Sequence, residues 1–206
     1  MNRQLSCYCG ASFEHEFPEQ VDLDDRALLE SVLEGDFLAV DCPDCGKHLK
    51  PEYPVRLSGR SAGVDLFLVP ELDRGGLRRG DLPYPIPDVK RIVVGYAELV
   101  EKLKVHLAGL DDQVVEVIKY HLLSRALENE EMQERDPRVS FQAAEGDRLV
   151  FHIAGLSDNE IAVSRVPRET YEKARARLGQ LIREEPFSEF LSPPHVSISR
   201  LVESRL

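Results

Sequence analysis

At 206 residues, with 42% hydrophobic side chains and a net charge of −11, the chain suffices for one or two packed domains and is too acidic to favour a phosphate backbone. No run reaches the roughly 18 to 20 apolar residues that span a bilayer, and Met1-Asn2-Arg3-Gln4-Leu5 lacks the apolar core of a secretory signal. These features predict a soluble cytoplasmic protein, in which four cysteines stay as thiols and serve as metal ligands or redox centres rather than as disulfides.

In chain order, the first cysteine pair sits in Ser6-Cys7-Tyr8-Cys9-Gly10-Ala11. Residues 11–21 alternate loosely and read as a strand broken by Pro18, with Phe13 and Phe17 on one face. A short helix starts on Asp22 or Asp24, gathers Leu28, Leu29, Val32 and Leu33, and stops at Gly35. Phe37-Leu38-Ala39-Val40 then runs extended into Asp41-Cys42-Pro43-Asp44-Cys45-Gly46-Lys47. Residues 49–57 are strand-like, and Pro51 and Pro54 predict an edge position. The apolar run Val64-Asp65-Leu66-Phe67-Leu68-Val69 is a further strand. Residues 71–90 are punctuated by Gly75, Gly76 and Gly80 and then Pro83, Pro85 and Pro87, which predicts a loop and a stiff linker between two parts. The Gly75 to Gly80 spacing imitates the start of a P-loop, but Asp81 stands where its lysine is needed.

The second part is expected over residues 91–206. Tyr96, Leu99, Val100, Leu103 and Leu107 form a helical stripe ending at Gly109, and Asp111 caps a second helix with Val114, Val117, Ile118 and Leu122 on one face. The short connection predicts an antiparallel helical hairpin, with His121 as a core histidine. Past a charged stretch from Asn129 to Arg135, Val139, Phe141 and Ala143 alternate, Glu145-Gly146-Asp147 turns the chain, and Leu149, Phe151 and Ile153 alternate back. Ile161-Ala162-Val163 extends this hairpin to a meander, and a helix begins at Pro167. Val196-Ser197-Ile198 in the tail is strand-like.

The chemistry lies in the cysteines. In a CxxCG turn two thiolates converge on one point and the glycine permits the backbone that aims amide hydrogens at the sulfurs, so each such turn is half of a tetrahedral zinc site. Cys7, Cys9, Cys42 and Cys45 are the expected metal ligands, in a closed structural zinc site. The arrangement of a knuckle, a strand, a short acidic helix ending in Gly35, and Cys42-Pro43-Asp44-Cys45-Gly46 resembles the CpXC domain over roughly residues 5–125. That resemblance implies a zinc-ribbon-like domain and imports no reaction. The first knuckle departs from the pattern. Cys7-Tyr8-Cys9 is one residue short, with Ser6 where a full knuckle has its first cysteine; a bulged backbone still puts four thiolates at about 2.3 Å on one ion, and Cys7→Ser is milder than Cys42→Ser or Cys45→Ser only if the short knuckle is strained. Were Cys7 to point away, His15 or His48 would be the substitutes.

Rival chemistries are weaker. A redox CxxC needs its first cysteine at a helix N-terminus, whereas Gly46-Lys47-His48 leads into a strand. A catalytic zinc keeps one position open, which four thiols would close. Glu14, His15 and Glu16 alternate between the two faces of a strand and do not converge. There is no HExxH, and no GxGxxG opening a helix after a strand, so no catalytic residue is assigned, and His106, His152 and His195 are isolated. Residues 1–70 carry thirteen Asp or Glu against six Lys or Arg, which disfavours nucleic acid even allowing for Arg74, Arg78 and Arg79. The sequence predicts an α+β protein: a zinc-ribbon-like β domain with an inserted helix over 1–70, a linker over 71–90, and a helical hairpin with an antiparallel sheet and covering helix over 91–206. The expected role is a non-enzymatic, zinc-stabilised module that binds another protein. The alternative is an enzyme with its active site between the two parts, and a nucleic-acid-binding ribbon ranks third.

Overall fold

The computed structural model describes residues 2–60, 63–128, 135–158 and 160–203 and divides into two compact units, Met1–Val100 and Glu101–Leu206. The architecture is mixed α+β. The charged stretch beginning at Asn129 lies outside the described residues as far as position 134. Among the described residues no helix is long and apolar enough to cross a membrane.

In the first unit, β1 (Asn2–Ser6) and β2 (Ser12–Glu16) form a hairpin with Leu5 opposite Phe13 and Ser6 opposite Ser12. Beyond Pro18 the chain restarts as β3 (Gln20–Asp22), which leaves that hairpin and runs parallel to β6 (Val55–Gly59). The helix α1 (Arg26–Glu34) is capped by Asp25, not by Asp22 or Asp24. The Asp25 carboxylate accepts from the Ala27 and Leu28 amides, while Asp22 accepts from the Asp24 amide and Asp24 from the Arg60 amide. Those two carboxylates are thus committed to the entry turn and the neighbouring strand. Gly35 closes α1 in the left-handed conformation as expected.

The second small hairpin is β4 (Val40–Asp41) with β5 (His48–Leu49). The main sheet has the order β3-β6-β7-β8, with β7 at Val64–Val69 and β8 at Arg91–Val94. Two sequence expectations change here. The strand β6 is central rather than at an edge, because Pro51 and Pro54 both precede it and leave its ladder donors intact. Residues 74–79, expected as glycine-rich loop, form the short helix α2 (Arg74–Arg79), ended by Gly80. Because β7 and β8 run parallel, the chain between them must cross over, and residues 70–90 are that crossover. Its apolar side chains Leu77, Leu82, Tyr84 and Val89 cover Phe67, Val69, Ile92 and Val94. From β8 the chain enters α3 (Gly95–Leu107), whose last turns begin the second unit.

In the second unit the strands β9 (Arg138–Glu145), β10 (Arg148–Ser157) and β11 (Glu160–Pro167) form the expected antiparallel meander with β10 central. Leu149, Phe151 and Ile153 face a core shared with α4 (Asp112–Leu127), capped by Asp111, and with Tyr171 of α5 (Arg168–Leu181). Two short helices, α6 (Phe187–Phe190) and α7 (Ser199–Glu203), complete the chain. His121 is exposed rather than in the core, its ring against Tyr120 and Phe187 at 5.5 and 5.9 Å. The reason is positional: full burial of α4 ends at Lys119, two residues before His121. The Val196–Ile198 segment is not a strand. Instead it is held by side chains of α3 and α4.

Those side chains form a buried ionic network. Glu116, 3% exposed, accepts from Lys119 Nζ at 3.0 Å and from the Ile198 amide at 2.8 Å, and lies 3.8 Å from Lys102 Nζ. Lys102 donates to Asp112 at 3.2 Å and to the Val196 carbonyl at 2.8 Å. Lys119 also donates to Glu101, and Glu101 accepts the Phe141 amide at 2.7 Å beside a bulge in β9. Three carboxylates thus meet two ammonium groups, and burial pushes the Glu101 carboxyl above its ordinary range against the pull of Lys119.

Removing one partner of such a network strands a buried charge, so Glu116→Gln is expected to cost about 3 to 5 kcal/mol, read from hydrogen exchange at the Ile198 amide. A raised carboxyl pKa contributes stability that is complete below the ordinary carboxylate range and is lost as pH rises through the folded value. Wild-type protein should therefore gain stability relative to Glu101→Gln as pH falls towards the ordinary carboxylate range of about 4 to 5. Parallel stability curves for the two proteins would contradict the assignment.

Candidate metal centre

Each cysteine pair is the turn of a hairpin. Cys7 and Cys9 lie between β1 and β2, closed by Ser6 opposite Ser12, and Cys42 and Cys45 lie between β4 and β5, closed by Asp41 opposite His48. Folding places all four Sγ atoms within 4.8 Å of one another. The Cys7 and Cys45 sulfurs are 3.7 Å apart, those of Cys9 and Cys42 are 3.8 Å apart, and no disulfide joins them. Four thiolates at about 2.3 Å around a tetrahedral ion have sulfur–sulfur edges of about 3.8 Å, so the donor set and its spacing fit such an ion.

The missing residue of the first knuckle is absorbed by its hydrogen bonding. In the second knuckle the Cys42 amide donates to the Lys47 carbonyl and the Gly46 amide to the Cys42 carbonyl, both at 2.9 Å. The first knuckle makes the same two bonds, each spanning one residue fewer: Cys7 to Ala11 at 2.8 Å and Gly10 to Cys7 at 2.9 Å. Both turns end on a glycine at positive φ, 93° at Gly10 and 70° at Gly46, a region where a side chain would be strained. The shortened turn thus still delivers Cys7 to the cluster.

Backbone amides aim into the cluster. The Cys9 amide, with further thiol contacts, holds the Cys7 thiol down at about 7. At Cys45 the Lys47 amide pulls the same way, but the neighbouring Cys9 thiol and burial outweigh it and push Cys45 up to about 12. One thiolate is tolerated in this space and a second is opposed by the first. A bound cation is what allows all four to ionise. Cys7 and Cys42 are buried, at 6% and 2% exposure, whereas Cys9 and Cys45 are open to solvent.

The two histidines named as substitutes lie outside the cluster. His15 packs edge-on against Phe17 at 4.7 Å, and the His48 Nδ1 atom pairs with Asp41 Oδ1 at 2.8 Å across the β4–β5 ladder. Cys42 is not at a helix N-terminus, and its knuckle leads into β5 as expected. Sequence reading did not find the contact between Tyr8 and Lys47, whose ammonium lies 4.5 Å from the ring centroid, because it joins the tips of two separate knuckles.

Two knuckled hairpins facing one another across four thiols define a zinc-ribbon-like domain. The chain belongs to the CpXC family: the family model, described as CpXC protein, matches residues 5–119. The match takes in all four cysteines and ends in α4 at Lys119. A protein of Treponema pallidum (strain Nichols), named only as an uncharacterized protein, is 27% identical over 198 residues, covering 86% of this chain and 88% of that one. No solved structure matches the chain.

Since all four sulfurs lie within 4.8 Å of one another, Cys7→Ser should weaken metal retention as much as Cys42→Ser or Cys45→Ser. The loss should exceed the roughly 10- to 100-fold that an outer-shell substitution costs, measured by competition with a chromophoric chelator. A markedly milder Cys7→Ser would return the strain to the short knuckle.

Proposed function

We propose that this protein is a non-enzymatic, zinc-stabilised module that binds another protein. The observation that carries the reading is the set of four thiols within 4.8 Å of one another, two of whose cross-knuckle pairs are at 3.7 and 3.8 Å. An all-sulfur donor set selects soft or borderline metals, and tetrahedral geometry among these favours zinc over the octahedral oxygen-seeking ions. Four protein ligands leave no coordination position for a substrate or water, so the ion's contribution is to folding.

Exposed apolar side chains of the first unit support a protein partner. Tyr8 is 88% exposed at the tip of the first knuckle, with Lys47 over its ring, and Leu72 of the same unit is 98% exposed. Exposed aromatics with a polar handle are favoured anchors in protein interfaces. The perturbed acid Glu101 is engaged on both oxygens by core hydrogen bonds, which suits a structural role better than proton transfer. The net charge of −11 disfavours nucleic acid.

Untagged protein should carry one zinc ion per chain in native mass spectrometry, with sulfur at about 2.3 Å dominating its X-ray absorption. Metal-free protein with an unchanged melting curve would overturn the zinc reading. A photo-crosslinking side chain placed at position 8 should yield one discrete protein adduct in cells, lost when Cys42 and Cys45 are serine.

A further inference from the structure

The four sulfurs differ in access, and the difference has a pattern. Cys9 and Cys45 face solvent while Cys7 and Cys42 are buried. Each exposed sulfur has a buried one of the opposite knuckle beside it, Cys45 with Cys7 at 3.7 Å and Cys9 with Cys42 at 3.8 Å. An exposed thiolate with a second sulfur poised next to it is the arrangement that turns peroxide oxidation into a disulfide instead of a dead-end acid. The hairpin that carries Cys42 and Cys45 is short, two residues per strand in β4 and β5, so that knuckle can follow the shift from metal to disulfide geometry.

We propose that the cluster is a peroxide-reactive modification site, in which oxidation joins the two knuckles through Cys7–Cys45 or Cys9–Cys42 and expels the metal. The inference rests on the zinc reading above. In the first step the exposed thiolate attacks one oxygen of hydrogen peroxide, forming a sulfenic acid and releasing hydroxide. The buried thiolate of the opposite knuckle then attacks the sulfenic sulfur, forming the disulfide and releasing a second hydroxide. Two thiolates have lost two electrons and the peroxide has gained them, while zinc leaves as the divalent cation without changing oxidation state. The two remaining thiolates are again a cross-knuckle pair, and two ligands hold zinc far less tightly than four. Because either disulfide spans from one hairpin to the other, the knuckles stay tethered after the metal is lost, and a dithiol reductant with added zinc restores the site.

The test uses the intact zinc-loaded protein. Zinc content is measured first, then hydrogen peroxide is added at increasing amounts while a chromophoric chelator follows zinc release and peptide mass spectrometry maps the cysteines. The expected result is loss of one zinc per chain in step with a Cys7–Cys45 or Cys9–Cys42 disulfide, reversed by dithiothreitol and zinc. Zinc retained under peroxide, sulfonic acids without a disulfide, or a bond within one knuckle would overturn the proposal and leave the zinc reading standing. Protein that holds no zinc before peroxide is added would overturn the zinc reading itself, and this proposal with it.

Discussion

The convergence of four sulfurs from two hairpin turns is the constraint on which the first unit depends. The hairpin of β4 and β5 pairs only two residues per strand, and an isolated two-stranded hairpin is marginal in water even when longer. Its geometry is set where Cys42 and Cys45 meet Cys7 and Cys9. A metal bound by such a set contributes on the order of 10 kcal/mol of apparent affinity, comparable to the whole stability of an ordinary domain. Without it, crowded thiols oppose one another's ionisation and the cluster has only weak contacts to close it.

The second unit solves a different problem by different means. Its sheet has one apolar face covered by α4 and α5, and that packing needs no metal. Its C-terminal segment is fixed by a hydrophobic cluster around Phe190 and Val196 and by backbone bonds to the buried charges of Lys102 and Glu116. Replacing such a network with apolar groups is often neutral for stability, so its value lies in specifying one position for the segment. The apolar cluster alone would tolerate slippage. A carbonyl at Val196 and an amide at Ile198, each matched to one charge, would not.

Much of this was legible in the chain. The four cysteines, the Gly35 stop, the Asp111 cap and the Gly146 turn are local signals whose physics is complete within a few residues, and the structure places all of them as read. What failed was whatever depended on distant partners. Asp22 and Asp24 were plausible caps until the strand at Arg60 and the entry turn claimed them. The β8 strand went unread because its four residues show no alternation, being buried beside β7 in a parallel pair. The ionic network was invisible for the opposite reason: charged residues at helical spacing read as a solvated face, and their partners Phe141, Val196 and Ile198 lie far along the chain.

Native-state hydrogen exchange with and without a strong chelator distinguishes hairpins of the first unit held by a metal from a second-unit core that stands on its own packing. Protection should collapse across residues 5–57 on chelation and persist across α4 and the β9–β11 sheet. Unchanged protection at Cys42 to His48 after complete metal removal would contradict it.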